Sequence, residues 1–265
     1  MSTTKRSLAP LLAVLTLLPA LVSAQSSDFS YRKDLAPGQT VEIRGVNGAI
    51  NAEPSSGTTL EVTAVKREHR HGDAEDVQIV AVEWNGGVTI CAVYPTPRRS
   101  RRDNHCGNGD SYEMSTNEND VEVRFTVKVP RGVKLDAATV NGDVRATGLT
   151  GDADLHTVNG GIDVTTSGVV EAETVNGDIE ARIGRADWTG GLKFETVNGG
   201  ISLTAPGTLA TDIEASTVNG SVDSDFPITI RGKLERTHLR GTIGSGGRSL
   251  EMTTVNGGIE LRKGA

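Results

Sequence analysis

Four arginines, Arg98, Arg99, Arg101 and Arg102, form the densest charge cluster in the sequence. Guanidinium groups bind carboxylates and phosphates through two parallel hydrogen bonds, so the cluster is a candidate contact for an anionic polysaccharide or a lipid head group. It follows two prolines and precedes a Gly/Asn-rich stretch, which is equally typical of a solvated loop tip. Both interpretations stay open at this level.

Carboxylates are numerous, but their positions do not predict a catalytic pair. A glycoside hydrolase holds two carboxyl groups at a defined separation. The glutamates of the repeated region instead alternate with apolar residues, as outward-facing strand positions do, at Glu171, Glu173, Glu180, Glu195 and Glu214. Aromatic residues, which sugar sites use for stacking, make up only 3% of the chain. The sequence also lacks a nucleophile elbow and a phosphate-binding loop, so it predicts no catalytic residue.

Metal ligands are equally sparse. His69, His71 and Asp73 are close in sequence, and His105 precedes Cys106, but neither group has the spacing of a zinc site. Aspartates recur at about twice the period of calcium-binding nonapeptide repeats, at Asp143, Asp152, Asp163 and Asp178. The sequence therefore predicts neither a metal site nor a cofactor.

A repeat supplies the elements that would position these residues. Thr-Val-Asn-Gly occurs six times, beginning at Thr139, Thr157, Thr174, Thr196, Thr217 and Thr254. The first five asparagines are separated by 18, 17, 22 and 21 residues, and the sixth follows after 37. A degenerate copy at Thr237–Gly241 divides that last interval, and Val46-Asn47-Gly48 is an isolated upstream copy. A turn motif recurring in this way predicts a repeat architecture whose units stack on their neighbours.

Each repeat is predicted to consist of two short strands joined by the Asn-Gly turn. In one typical unit, Leu192 and Phe194 alternate with polar residues before the turn, and Ile201 and Leu203 do so after it. Period-two alternation over four to six residues is typical of half-buried strands. Asn and Gly both tolerate the left-handed backbone of a tight turn. No segment after residue 25 keeps a helical period, so the predicted fold class is all-β.

Two all-β folds fit such a unit. Asn-Gly between strands is a strong hairpin signal and would give an antiparallel β-meander. We favour a single-domain parallel β-solenoid (β-helix) of about six to seven coils, stacked roughly 4.8 Å apart. A hairpin does not require Thr and Val before every Asn, whereas stacked coils place equal residues above one another. The asparagine amides would then form a structural ladder from coil to coil, with members Asn141, Asn159, Asn176, Asn198, Asn219 and Asn256.

Residues 1–24 have the pattern of a secretory signal peptide. Lys5 and Arg6 precede an apolar run from Leu8 to Val22, and cleavage is expected after Ala24. The run is too short, and too interrupted by prolines, to span a membrane. Cleavage changes the formal charge from −7 to −9, which argues against nucleic acid or anionic membrane as a partner of the exported protein. The predicted location is therefore periplasmic or secreted.

The exported chain is expected to divide into an N-terminal β cap, residues 25–132, and the repeat solenoid, residues 133–265. A cap protects the end strand of a solenoid from association with other edges. The last repeat ends near Leu261 without an evident cap, so that solenoid end is a candidate surface for self-association.

Export places Cys91 and Cys106 in an oxidising environment, where one disulfide is favoured. It would staple the polar insertion, residues 94–120, and stabilise the fold by about 3 kcal/mol. Two free thiols or a metal pair are the alternatives.

The sequence resembles the putative adhesin family of bacterial β-strand-repeat proteins, a domain of unknown function. The resemblance lies in Val127-Lys-Val-Pro-Arg-Gly-Val133 and in the unit Thr139–Val144 with its later copies, and it covers residues 30–262. It implies a β-solenoid exposed outside the cytoplasm. The family has no assigned chemistry, so the resemblance implies no catalytic residue.

These observations predict a non-enzymatic, adhesin-like binding or structural module of the bacterial envelope. Its ligand would be an unidentified protein or polysaccharide of the envelope or surface. The alternative is a carbohydrate-active β-helix enzyme that acts on an envelope or extracellular polysaccharide.

Overall fold

The computed structural model describes residues 28–116, 119–230 and 236–264. In this part of the chain, two sheets and two single-turn 3₁₀ helices (Ala74–Asp76 and Gly109–Ser111) make up the regular structure. The expected signal peptide, with its cleavage site after Ala24, lies outside the described residues. Within the described ranges, no helix is long and apolar enough to cross a membrane.

Sheet A contains ten strands. In their order across the sheet they are β1 (Phe29–Asp34), β4 (Thr59–Arg67), β7 (Glu122–Val129), β3 (Ile50–Pro54), β9 (Val144–Leu149), β11 (Ile162–Thr166), β13 (Ile179–Ile183), β15 (Ile201–Ala205), β21 (Ile259–Lys263) and β17 (Val222–Ser224).

Sheet B contains eleven strands. In their order across the sheet they are β18 (Ile228–Ile230), β19 (His238–Ile243), β16 (Thr211–Ser216), β20 (Ser249–Thr253), β14 (Gly191–Glu195), β12 (Val170–Glu173), β10 (Ala153–His156), β8 (Lys134–Ala138), β2 (Thr40–Arg44), β6 (Gly87–Val93) and β5 (Gln78–Trp84).

The fold is a parallel β-solenoid, as predicted. Each coil contributes one strand to each sheet, and strands of neighbouring coils pair in parallel with equal positions side by side, for example Ile179 beside Ile201. The exception is an irregularity between β9 and β11, after Val164. Eight coils are visible in the described residues, because β6 and β7 form one that lacks the motif. Antiparallel pairing, expected throughout a meander, is confined to strands at the two ends of the stack.

The hydrophobic core fills the space between the two sheets. Leu192 and Phe194 of β14 and Ile201 and Leu203 of β15 are all at most 3% exposed, as their alternation predicted. The same parity repeats in every coil, because a parallel register keeps equal residues on equal faces. The structure also settles the direction of the motif side chains, since the Thr is buried and the Val points outward.

The order of the coils in space differs from their order along the chain. The coil of β2 and β3 lies between β6–β7 and β8–β9, although the chain forms it first. At the other end, the coil of β20 and β21 lies between β14–β15 and β16–β17, although the chain forms it last. Both outermost repeats of the chain are therefore interior coils of the stack.

The expectation that the last repeat ends the solenoid is wrong. The antiparallel pair β18 and β19 follows the penultimate motif repeat and reverses the chain. A glycine-rich turn, Gly244–Gly247, then returns it to the open position beside β14. At this end of the stack the edge strands are β17 in sheet A and β18 in sheet B, each of three residues. Very short edge strands are a common protection against edge-to-edge association.

Candidate functional site

The repeated asparagines lie at the corner where sheet B passes into sheet A. Backbone bridges connect the asparagines of neighbouring coils. Each amide Nδ2 donates to the Oδ1 of the asparagine in an adjacent coil, with N–O distances of 2.8–2.9 Å. In spatial order the column is Asn47, Asn141, Asn159, Asn176, Asn198, Asn256 and Asn219. The structure thus brings all six asparagines of the expected ladder together and extends the column by Asn47.

The threonine of the motif supports the same corner from inside. Thr174 Oγ1 donates to the carbonyl oxygen of Gly160 in the adjacent coil at 2.9 Å. Four other repeats make the same contact at 2.8–2.9 Å. A buried hydroxyl without a partner would be costly, so this bond explains why Thr is tolerated at a core position.

The glycine of the motif is required by close backbone approach. A Cβ on Gly177 would lie 2.0 Å from the carbonyl oxygen of Gly160, and the other five complete repeats give distances of 2.0–2.2 Å. The sequence-based reason, a left-handed backbone, is wrong for these glycines, since only Gly48 of the isolated upstream copy has a positive φ. Gly is needed here because the backbone of the adjacent coil leaves no space for a side chain.

The valine of the motif points to solvent. Val140, Val158, Val175 and Val255 are 36–39% exposed and Val218 is 65% exposed. We call the column of motif valines in the six complete repeats the valine ridge: Val140, Val158, Val175, Val197, Val255 and Val218 in spatial order. Val46 continues it at the insertion end but is only 6% exposed. Thr, Asn and Gly each have a role in the corner, whereas the outward Val contributes little to the core.

A file of carboxylates runs beside the valine ridge on the outer face of sheet B. The strand register places one residue of each of the seven motif coils in this file, which we call the acidic file: Glu42, Asp136, Asp154, Glu171, Lys193, Glu251 and Glu214. Like charges on neighbouring strands repel. Cations between the columns reduce this repulsion. Arg44 binds both oxygens of Asp136, and Lys134 lies 3.3 Å from Asp154.

His156 is the titratable centre of this face. Its Nε2 lies 2.8 Å from Asp154 Oδ1, and its Nδ1 lies 3.6 Å from Glu173 Oε2. The hydrogen bond to Asp154 raises the pKa of His156. Burial alone would raise the pKa of Asp154, but the bond from His156 and the charge of Lys134 lower it. Burial and the nearby Asp154 raise the pKa of Glu171.

The insertion, residues 94–120, joins β6 to β7 and lies against the outer face of sheet B. A disulfide joins Cys91 to Cys106 across a separation of 15 residues, with the two Cα atoms 5.6 Å apart. The arginine cluster is exposed on a turn of the insertion. Arg102 lies 3.0 Å from Glu113. The structure therefore places these four arginines at an exposed turn of the insertion.

The insertion also covers one end of the valine ridge. Tyr112 and Met114 line a cavity of about 250 Å³ together with Val46 and Val140. The Tyr112 hydroxyl is buried and has no hydrogen-bond partner among the described residues. Burial raises the pKa of Tyr112 to about 12, so the phenol stays protonated and can donate. This cavity lies at one end of the valine ridge.

The histidines near residue 70, considered as metal ligands in the sequence, contact single carboxylates in the structure. His69 lies 3.4 Å from Glu122, and His71 lies 3.5 Å from Asp120. Within the described ranges, no three His, Cys, Asp or Glu side chains are placed to hold a metal ion.

The repeats and their stacking match a known family. The profile described as Toastrack DUF4097 matches residues 21–262, which is most of the chain. The chain belongs to this family. The solenoid, the two sheets and the motif corner described above are thus features of a Toastrack domain.

Solved structures include several that resemble this Toastrack domain at low sequence identity. A putative cell adhesion protein from Clostridium sporogenes is 14% identical, with a TM-score of 0.39, over 89% of this chain and 99% of that chain. A putative adhesin from Bacteroides fragilis is 10% identical, with a TM-score of 0.34, over 89% and 96%. A putative lipid binding protein from Parabacteroides distasonis is 12% identical, with a TM-score of 0.23, over 89% and 97%. The curated proteins contain no match to this chain.

Sequence reasoning about the Toastrack domain found the asparagine column but missed the valine ridge. The parity of a strand is lost where the chain turns, so the sequence left open whether Thr or Val faces the core. One signal was present in the motif. Thr can satisfy its hydroxyl against a backbone carbonyl at a turn, whereas an outward Val gains nothing from the corner. Contacts within the corner therefore do not explain why Val is repeated at this position.

Proposed function

We propose that this chain is an exported, non-enzymatic β-solenoid that acts as an adhesin-like binding module of the bacterial envelope. The observation that supports this function is the valine ridge. Five of the six large apolar side chains that are exposed in the described residues belong to it, and the sixth is Ile230. Aligned exposed apolar side chains mark interaction surfaces, whereas isolated ones need no explanation.

The architecture supports a rigid presenting surface. The asparagine column and the threonine bonds fix one corner of every motif coil, so ridge residues of successive coils keep one spacing. A preformed surface loses little conformational entropy on binding. We propose that residues 1–24 direct export, that residues 25–132 cap the stack, and that residues 133–265 present the ridge.

The acidic file limits the class of partner. Six of its seven positions carry a carboxylate, and the formal charge of the chain is −7. Nucleic acids and anionic membranes would be repelled by such a face. A protein or polysaccharide ligand with neutral or cationic groups is the chemistry that fits.

A second candidate, a carbohydrate-active enzyme, has one observation in its favour. A cavity of about 180 Å³ on sheet B is lined by Asp152, Glu171, Lys134, Arg185 and Trp188, among others. Glu171, with its raised pKa, is a candidate general acid. The cavity is a poorer sugar site than this composition suggests, because Trp188 is only 4% exposed and therefore has no open face for stacking.

Two measurements on the mature chain separate these functions. Sedimentation of the protein with purified cell envelopes reports binding, and reducing-sugar release from a panel of envelope polysaccharides reports hydrolysis. We expect binding without sugar release. Sugar release that disappears in Glu171→Gln would overturn the proposed function in favour of the enzyme.

Export needs its own measurement. We expect the tagged protein to fractionate with the periplasm or medium and to begin at Gln25 when its N-terminus is determined by mass spectrometry. A cytoplasmic protein that retains residues 1–24 would contradict the envelope assignment.

A further inference from the structure

The side chains of the valine ridge are regularly spaced, and this spacing can be compared with that of apolar side chains on a helix or a strand. Its members belong to neighbouring coils, and their side chains project from one corner. Strands in a sheet are about 4.8 Å apart. The ridge therefore presents one apolar side chain about every 4.8 Å along the solenoid axis, over six coils.

The protein itself shows what kind of contact the ridge makes. At the insertion end, Met114 and Tyr112 lie near the valine of the first motif coil, Val46. That valine is 6% exposed, whereas Val158 and Val175 in the middle of the ridge are 38% and 39% exposed. The uncovered valines thus continue an intramolecular apolar interface beyond the point where the insertion ends.

On the sheet B side, the column next to the ridge is mixed, and the acidic file lies one column further out. That nearest column contains Arg44, Ala138, His156, Glu173, Glu195, Thr253 and Ser216, and Lys193 pairs with both of its glutamates. Glu173 and Glu195 occupy the outward positions two residues before Val175 and Val197 in their coils. The acidic file runs parallel to them, two residues earlier on each strand and therefore further from the ridge. On the other side lies the asparagine column, whose side chains are uncharged. A partner that matches this pattern needs an apolar stripe bordered by basic side chains.

We propose that the valine ridge binds a basic amphipathic helix of a partner protein, laid along the solenoid axis. This inference rests on the proposed binding function and names the chemistry of the partner. A helix seam carries two apolar side chains per seven residues, which at 1.5 Å rise gives one about every 5.2 Å. The mismatch with the coils is about 0.4 Å per valine, or about 2 Å along the whole ridge.

An extended peptide fits the ridge less well. Side chains on one face of a strand recur about every 6.7 Å, so a strand falls out of step by about 2 Å at each valine. The cavity beside Met114 adds a place for one anchoring side chain at the end of the helix.

The test uses two synthetic peptides of identical composition, both fluorescently labelled. One has three heptads with Leu at the seam and Lys at the flanking positions, and the other alternates Leu and Lys with a period of two. Fluorescence anisotropy with the mature protein should show binding of the heptad peptide and at least tenfold weaker binding of the alternating one. Because Lys faces the acidic file, binding should weaken as salt is added.

Ridge variants assign the binding to the valines. In Val158→Thr/Val175→Thr the side-chain shape is nearly kept while two methyl contacts are lost, so affinity for the heptad peptide should fall about fivefold to tenfold. Ile230→Thr removes an equally exposed apolar group away from the ridge and should bind like the wild type. Unchanged thermal unfolding of the variants verifies that the fold is intact.

Each other outcome overturns the helix proposal. Equal binding of the two peptides, or wild-type affinity in the double valine variant, would show that the ridge does not recognise a helical seam. Ridge-dependent dimers in sedimentation velocity would identify a second copy as the occupant, and ridge-dependent binding to phosphatidylglycerol vesicles would identify a membrane. None of these results would contradict the proposed envelope-binding function, because sedimentation with cell envelopes tests that function separately.

Discussion

Replacing single asparagines of the column by alanine should reveal the spatial order of the coils. An interior residue such as Asn176 takes part in two side-chain hydrogen bonds, to Asn159 and Asn198, both at 2.8 Å. Asn219 is the last residue of the column and makes one such bond, to Asn256. A side-chain hydrogen bond contributes about 0.5–1.5 kcal/mol net. We therefore expect Asn176→Ala to lower the free energy of unfolding by about 1–3 kcal/mol and Asn219→Ala by about half as much.

Pairs of substitutions give a sharper result than single ones. Asn198 and Asn256 are 58 residues apart in sequence but share a hydrogen bond. The two single variants each lose that bond, whereas the double variant loses it once, so the double variant should be about 0.5–1.5 kcal/mol more stable than the sum of the single effects predicts. Asn198 and Asn219 are successive in the sequence but are separated by the Asn256 coil. Their effects should add within about 0.5 kcal/mol.

Urea unfolding of the six variants, followed by circular dichroism, measures these free energies. A common m-value would show that the substitutions change stability and leave the unfolding transition itself unaltered. If Asn198 and Asn219 were coupled while Asn198 and Asn256 were independent, the coils would follow chain order. The placement of the last repeat between two earlier coils would then be wrong. If every single variant were as stable as the wild type, the side-chain ladder would contribute nothing.

Three further perturbations follow from the same geometry. Gly177→Ala should destabilise by about 3 kcal/mol or more, because the Cβ meets a backbone carbonyl, whereas Gly57→Ala, with open space around it, should stay within about 0.5 kcal/mol; urea unfolding checks both. His156→Gln should lose about 0.5 kcal/mol or less below pH 6 and nothing above pH 9, because a raised pKa in the folded state adds stability that disappears as the imidazole deprotonates; unfolding at pH 5.5 and pH 9 measures this. Cys91→Ala/Cys106→Ala should lower the free energy of unfolding by about 3 kcal/mol. A thermal scan should show a larger decrease in Tm for this variant than for His156→Gln.

Much of the solenoid could be predicted from the sequence because its signals are local and repeated. Alternation identified the core residues Leu192, Phe194, Ile201 and Leu203, and equal spacing identified the stacked asparagines. The number of coils was underestimated, since the β6–β7 coil has no motif and the insertion replaces its corner. A motif search counts only coils whose corners are built in the same way.

The outward surface could be predicted only in part. Which side of a turn residue faces solvent depends on the backbone at the turn, and that backbone is set by the neighbouring coil. The Gly of the motif illustrates this, because its requirement comes from a carbonyl oxygen in another coil, 17 residues earlier for Gly177 and Gly160. Likewise, the acidic file exists only because the register aligns Asp154 with Glu171 and Asp136. Neither relation is visible in the spacing of one unit.

The spatial order of the coils could not be predicted, because repeats with the same motif can stack on one another in any order. Asn219 would stack as well on Asn198 as on Asn256, so pairing preferences alone do not fix the order. The antiparallel pair β18–β19 decides it, since it occupies the outer side of β16 and leaves only the inner side for the last repeat. A coil placed between two others forms strand pairs on both sides, whereas a coil at the end forms them on one. Both outermost repeats of the chain therefore make two sets of strand pairs, and the ends of the stack are formed by the antiparallel strands β1, β5 and β18 and by the short parallel strand β17. The repeat coils are thus kept from the ends of the solenoid, and their shared surface is its side, where the valine ridge lies and where we propose that a partner binds.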